Sequence, residues 1–253
     1  GCLALERALQ QRSILQQQNS TDRFPQHLLS IDMEGNLVFQ EVMNGVTHGL
    51  GVLFAICGMI ALGTKVQHSP ARHRIACTIY STSLFVLYTS STLYHSFFSM
   101  QHTKYIFEVL DKCAIYILIA GSYTPFLQIV VWDYVWWSND MLAFMWLCCF
   151  LGICVEFMLP DWKHKMVFSL SMYLGMGWVS IVCLPQLTSL LTEDGALHLL
   201  ILGGVGYTSG VPFFVRNNNL DHSIWHLFVL AGSIFHWACI YIYVAGWEKG
   251  RSM

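Results

Sequence analysis

Beyond residue 43 the chain alternates long apolar stretches with short polar interruptions. A helix rises about 1.5 Å per residue, so roughly 20 apolar residues are needed to cross a hydrocarbon layer. The pattern supplies that length seven times, predicting helices over 44–65, 75–100, 107–131, 137–159, 165–186, 196–215 and 223–247. The second and seventh are the clearest, because neither contains Asp, Glu, Lys or Arg. The fourth is the weakest: its uncharged core, 141–155, is short and Glu156 lies near its end, although Trp136, Trp137 and Trp146 suit an interface. The stretches 67–74, 101–105, 160–164 and 216–222 read as short polar hinges, which place consecutive helices antiparallel and side by side. Gly203, Gly204, Gly206 and Gly210 in the sixth helix read as a face for close packing. The expected fold is all-α: a polytopic membrane protein built as a seven-transmembrane helix bundle over 44–247. An extramembrane segment, 1–43, precedes it and a short tail, 248–253, follows. Within that segment 3–18 suggests a short amphipathic helix and Phe24-Pro25 a break.

Composition supports lipid as the solvent: 55% of residues are hydrophobic and only 11% charged, against about 25% in soluble domains. A net charge of −2 leaves no basic surface for nucleic acid, so the partners expected are membrane lipids and other membrane components. Cysteines 57, 77, 113, 148, 149, 154, 183 and 239 lie in or beside apolar runs and read as buried thiols, with no zinc-knuckle spacing. Residues 1–40, rich in Gln and charge, contain no apolar core for a signal peptide, and the chain begins at Gly1 rather than Met, as a fragment would. With the N-terminus cytosolic, seven basic residues (Arg7, Arg12, Arg23, Lys104, Lys163, Lys165 and Arg216) share its side. Five (Lys65, Arg72, Arg74, Lys249 and Arg251) face the other way. The count favours a cytosolic N-terminus.

Threading seven helices alternately through a bilayer gathers the polar residues at one end. Glu41, Asn44 and His48 begin the first helix, Ser91 and His95 end the second, Glu108 and Asp111 begin the third, and His222 and His226 begin the seventh. His222 and His226 stand four apart, as do Ser91 and His95, and that spacing puts both members of a pair on one helix face. Three imidazoles can bind zinc and leave a fourth position open for water, the arrangement of catalytic sites. Asp111 would hold that water or take its proton, and Ser91 would stabilise an oxyanion. A single intramembrane histidine is more often a packing residue. The set is different, because ionisable groups in lipid are costly and mark function. His48, with Asn44 and Glu41, is expected to brace the site. His236 reads as structural, His68, His73, His102 and His164 as loop residues, and Glu156 and Lys112 as snorkelling ends.

Six ordered signatures carry a family resemblance: Glu41-x-x-Asn44-x-x-Thr47-His48; Ser91-x-x-Tyr94-His95; Leu110-Asp111-x-x-x-Ile115; Tyr123-Thr124-Pro125; Gly203-Gly204-x-x-Tyr207-x-x-Gly210; and His222-x-x-Trp225-His226-x-Phe228. Together they resemble the hemolysin III family, grouped with the progestin and adipoQ receptors and related to the alkaline ceramidases. The resemblance spans about Glu41 to Trp247. It implies a seven-helix fold, a zinc ion on His95, His222 and His226, and a water between the metal and Asp111. Three functions are compatible. The first is a zinc-dependent hydrolase of a lipid amide, with a ceramide-like or other acyl-amide ligand, in which Asp111 handles the proton and Ser91 the oxyanion. The second is a membrane receptor or signalling regulator. The third, a pore-forming hemolysin, sits poorly with polar residues confined to one end of the helices.

Overall fold

The computed structural model describes residues 26–192, 194–218 and 220–248. The expected amphipathic helix at 3–18 and most of the tail at 248–253 lie outside those residues. The chain divides after Gln40, and the unit from Glu41 onward carries the bundle described here.

Among the described residues seven helical rods form, close to the seven apolar stretches. Helix α1 is Gln26–Val66, α2 Ala71–Ser96, α3 Gln101–Pro125, α4 Ser138–Met158, α5 Lys165–Trp178, α6 Ser180–Leu190, α7 Asp194–Arg216 and α8 Asp221–Cys239. Two rods are continued by a single π-helical segment, Phe126–Val131 after α3 and Ile240–Val244 after α8. Helices α5 and α6 together make one membrane-length rod, Lys165–Leu190. The switch to π geometry after α3 has a local cause: Pro125 has no N–H to offer the preceding turn.

Six of the rods are long and apolar enough to cross a membrane, and α2 is the exception. Freedom from formal charge made this stretch look like the clearest span, but Ser and Thr recur along it. Several of those hydroxyls are satisfied inside the helix, as the bonds from Ser81 to the Cys77 carbonyl (2.6 Å), Thr92 to Tyr88 (2.7 Å) and Ser90 to Leu87 (3.0 Å) illustrate. Helix α2 therefore belongs in the interior, where Tyr80, Leu84, Tyr88 and Ser91 are fully or almost fully buried. Helix α3 is the other central element, and the faces of α4, α5, α6 and α7 are largely turned outward.

Contacts at the two ends fix the antiparallel order. At one end Glu41 of α1 meets His95 of α2 and Asn44 meets Ser223 of α8. At the other, Lys65 of α1 donates to the Tyr241 carbonyl and His73 of α2 meets the Ala245 carbonyl. Helices α7 and α8 approach through glycine: a Cβ on Gly203 would strike the His236 ring, one on Gly206 would meet the Gly232 Cα at 3.1 Å, and one on Gly210 would strike Trp225 and Phe228. The expected packing role of these three glycines is met, whereas Gly204 has open space beside it. Asn217 ends α7 with φ of 50°, a left-handed position that Asn tolerates, and its N–H closes on the Phe213 carbonyl at 3.0 Å.

Candidate metal centre

Two helix ends, the last turn of α2 and the first turns of α8, converge on one point. One ligand nitrogen each from His95, His222 and His226 lies within 4.8 Å of the others. The ring centroids are 4.5 Å apart for His222 and His226 and 5.1 and 5.0 Å from His95 to each of them. The i, i+4 spacing on α8 sets the first separation, and the α1–α2–α8 packing brings in the third ring.

Neighbours determine which nitrogen each ring presents. His95 Nδ1 lies 2.6 Å from Glu41 Oε2, so its Nδ1–H donates to the carboxylate and Nε2 keeps the lone pair. Lys104 Nζ holds the other carboxylate oxygen at 2.8 Å. His226 Nδ1 lies 3.1 Å from Thr47 Oγ1, whose only proton is directed to the Met43 and Asn44 carbonyls of its own helix at 3.0 and 2.9 Å. The imidazole is therefore the donor, and its Nε2 is left free as well. His95 Nε2 and His222 Nε2 are buried and have no hydrogen-bond partner. Buried polar atoms normally find one. Imidazole nitrogens held by a carboxylate and a hydroxyl on one side and unpaired on the other are what a metal site requires. This group can hold a metal ion.

The other expected site residues surround the group. His48 stacks on His226 with centroids 3.6 Å apart and planes 21° apart, and neither of its nitrogens has a partner. Asn44 Oδ1 accepts from Ser223 Oγ at 2.5 Å, tying the middle of α1 to the start of α8. Asp221, next to His222, is gripped by Arg216 through bonds of 2.7 and 2.6 Å and receives the Asn218 N–H at 2.9 Å. Ser91 is fully buried, and its hydroxyl lies beside the Asp111 carboxylate. Glu108 turns away from the histidines to pair with Lys112 at 2.6 Å.

Beneath the histidines lies a chamber of about 810 Å³. His48, Asp111, His222 and His226 line it together with one face of α3 (Ile115, Leu118, Ile119, Ser122, Phe126) and largely apolar residues of α5 to α8. This volume falls in the range of sites that enclose a drug-sized ligand.

Several expectations are corrected. His73 is no loop residue: it is buried in the first turn of α2 and its Nδ1 sits 3.2 Å from the Ala245 carbonyl. Glu156 does not snorkel. It is fully buried, accepts from Ser169 Oγ at 2.5 Å and pairs with Lys165 at 3.5 Å. Lys112 is half-buried and spent on Glu108. His236 is structural as read, its Nε2 donating to the Leu200 carbonyl at 3.1 Å. The supporting roles of Thr47, Lys104 and Ser223 were not foreseen. Thr47 and Ser223 adjoin singled-out histidines in sequence, but only the packing shows which hydroxyl faces a ring.

Residues 37–237 match the model of a family described as Haemolysin-III related. The chain is 38% identical to Hemolysin-3 of Bacillus cereus over 209 residues, covering 82% of this chain and 93% of that protein. It is 35% identical to the Hemolysin-3 homolog of Bacillus subtilis (strain 168) over 206 residues, covering 81% and 94%. It is 29% identical to the Monocyte to macrophage differentiation factor of Homo sapiens over 212 residues, covering 81% and 85%. The family resemblance carried by the six signatures is thereby borne out.

Proposed function

We propose, given that this chain belongs to the Haemolysin-III related family of integral membrane proteins, that it binds one zinc ion through His95, His222 and His226 and hydrolyses a lipid amide. The observation that carries this reading is the pairing of a buried three-imidazole group with a large apolar chamber that also holds Asp111. Nitrogen ligands suit zinc, and three of them leave a position open. Bound there, zinc would polarise a carbonyl and make water a usable nucleophile near neutral pH.

The chain's own residues have distinct parts in this reading. Glu41 and Thr47 hold two rings in the tautomer that directs Nε2 inward. Asp111 takes the proton of the attacking water and returns it to the departing amine, so that the C–N bond breaks to give a fatty acid and an amine. Ser91 donates its O–H to the carbonyl oxygen as negative charge develops there. The apolar part of the chamber holds the acyl chain. The excess of basic residues on the N-terminal side supports a cytosolic orientation for that end and for the site.

The test is zinc stoichiometry on detergent-purified wild type and His226→Ala, each incubated with a panel of long-chain amides. The reading requires about one zinc per wild-type chain, with metal and fatty-acid release both lost in the variant. Zinc without turnover would favour a receptor or signalling regulator whose chamber binds a lipid without cleaving it. Wild type without zinc would sink the central assignment.

A further inference from the structure

Hydroxyl groups recur in the wall of the chamber, and most have already given their hydrogen to the protein. Ser122 donates to the Ile119 carbonyl, Ser180 to Gly177, Thr208 to Gly204, and Tyr123 to Met176 and Gly177. Tyr207 differs. It is half-buried in the same wall, and its Oη lies 2.8 Å from Ser233 Oγ, which in turn accepts from Tyr88 Oη at 2.7 Å. Ser233 is fully buried, and with Tyr88 as its donor, the neighbour left to take its own hydrogen is Tyr207. The bonds therefore run from Tyr88 to Ser233 to Tyr207, and the Tyr207 O–H has no acceptor among the described residues. A donor without an acceptor at membrane depth is costly, and one at the end of a hydrogen-bond chain is polarised by it. His236 adjoins Tyr207 in the wall, with ring centroids 5.4 Å apart. Its Nε2–H is spent on the Leu200 carbonyl at 3.1 Å, so Nδ1 keeps its lone pair. His226 and His236 lie on the same helix, a separation of roughly 15 Å along its axis at about 1.5 Å per residue.

We propose that Tyr207 and His236 form a second polar station in the chamber, one that recognises a hydroxyl on the body of a long acyl chain, far from the chain's head. A donor and an acceptor in adjoining rings, among largely apolar neighbours, match a hydroxyl, which fills both. A plain chain leaves the Tyr207 hydrogen facing methylenes, and a ketone or ester oxygen fills the donor but gives nothing to Nδ1. The ligand class is a long-chain hydroxy fatty acyl group whose hydroxyl stands roughly a dozen carbons from the end at the histidines, the reach of an extended chain over about 15 Å. This inference rests on the chamber holding an acyl chain and not on the cleavage of any bond.

Stearate, 12-hydroxystearate and 2-hydroxystearate are competed against a fluorescent fatty acid on the detergent-purified full chain. Wild type should bind 12-hydroxystearate about 10-fold more tightly than stearate, as one or two net hydrogen bonds provide. The 2-hydroxy acid, whose hydroxyl stays beside the head, should show no such gain. In Tyr207→Phe the preference should reverse, because the chain hydroxyl is then buried without its donor, while stearate binds as in wild type. Ser233→Ala keeps the phenol but removes the bond that aims its O–H, and should lower the preference without reversing it. That variant and the 2-hydroxy acid keep the test decisive if Tyr207→Phe does not fold. Equal affinity for stearate and 12-hydroxystearate on wild type, an equal gain for both hydroxy acids, or a Tyr207→Phe protein that weakens all three acids alike would each overturn the station. Equal affinity would leave the acyl-chain reading of the chamber standing, whereas failure of all three acids to bind would remove both.

Discussion

A histidine can offer a metal only the ring nitrogen that its other nitrogen leaves free, so the neighbours of His95 and His226 matter as much as the rings. Glu41 is the stronger of the two supports, because a carboxylate both fixes the tautomer and makes the imidazole a better donor. Glu41→Ala should weaken zinc binding by about 10–100-fold without removing a ligand. Competition with a chromogenic chelator measures this, and an unchanged affinity would show that the packing of α1 against α2 suffices to orient His95. At this scale the sequence was legible where spacing speaks: His222 and His226 by their separation of four, His95 and Ser91 by theirs. It was misleading at Glu156, because a carboxylate near a predicted helix end looks exposed until the next helix is seen to cover it. His73 misled for the same reason, since its burial depends on the far end of α8.

At the scale of elements, the α7–α8 pair shows how a membrane bundle packs without a hydrophobic driving force between its helices. Gly206 faces the Gly232 backbone, which cannot rotate aside as a side chain can. Gly206→Leu should therefore force the helices apart and destabilise the protein by about 1–3 kcal/mol. Thermal unfolding in detergent would report this as a lowered Tm. Because α8 carries His222 and His226, zinc affinity should fall with it. Gly204→Leu is the control: a Cβ at Gly204 meets nothing within 4 Å, so a much smaller loss is expected there. Helix α2 makes a different point at the same scale. Its lack of charge made it the clearest span in sequence, whereas its hydroxyl content suits it to the interior.

At the scale of the whole molecule, the chamber is the feature that no single helix contains. One face of α3 runs down it through Ile115, Ile119, Ser122 and Phe126, so a substitution there acts as a plug at a chosen depth. Ser122→Trp should shorten the longest acyl chain accepted by several methylenes while leaving zinc stoichiometry at the wild-type value. A chain-length profile of binding checks this, and an unaltered profile would mean that the acyl chain lies elsewhere. The sequence by itself determined that the chain is a polytopic helical membrane protein, that its polar residues gather at one end, and which three histidines stand there. Hydropathy, helical period and alternate threading are local or one-dimensional rules, and they suffice for those conclusions. Only the tertiary structure decided which carboxylate and which hydroxyl hold the rings, that Glu156 is enclosed, and that the rods leave a space between them. Those properties depend on side chains from helices distant in sequence meeting at one depth, and no local pattern encodes such a meeting.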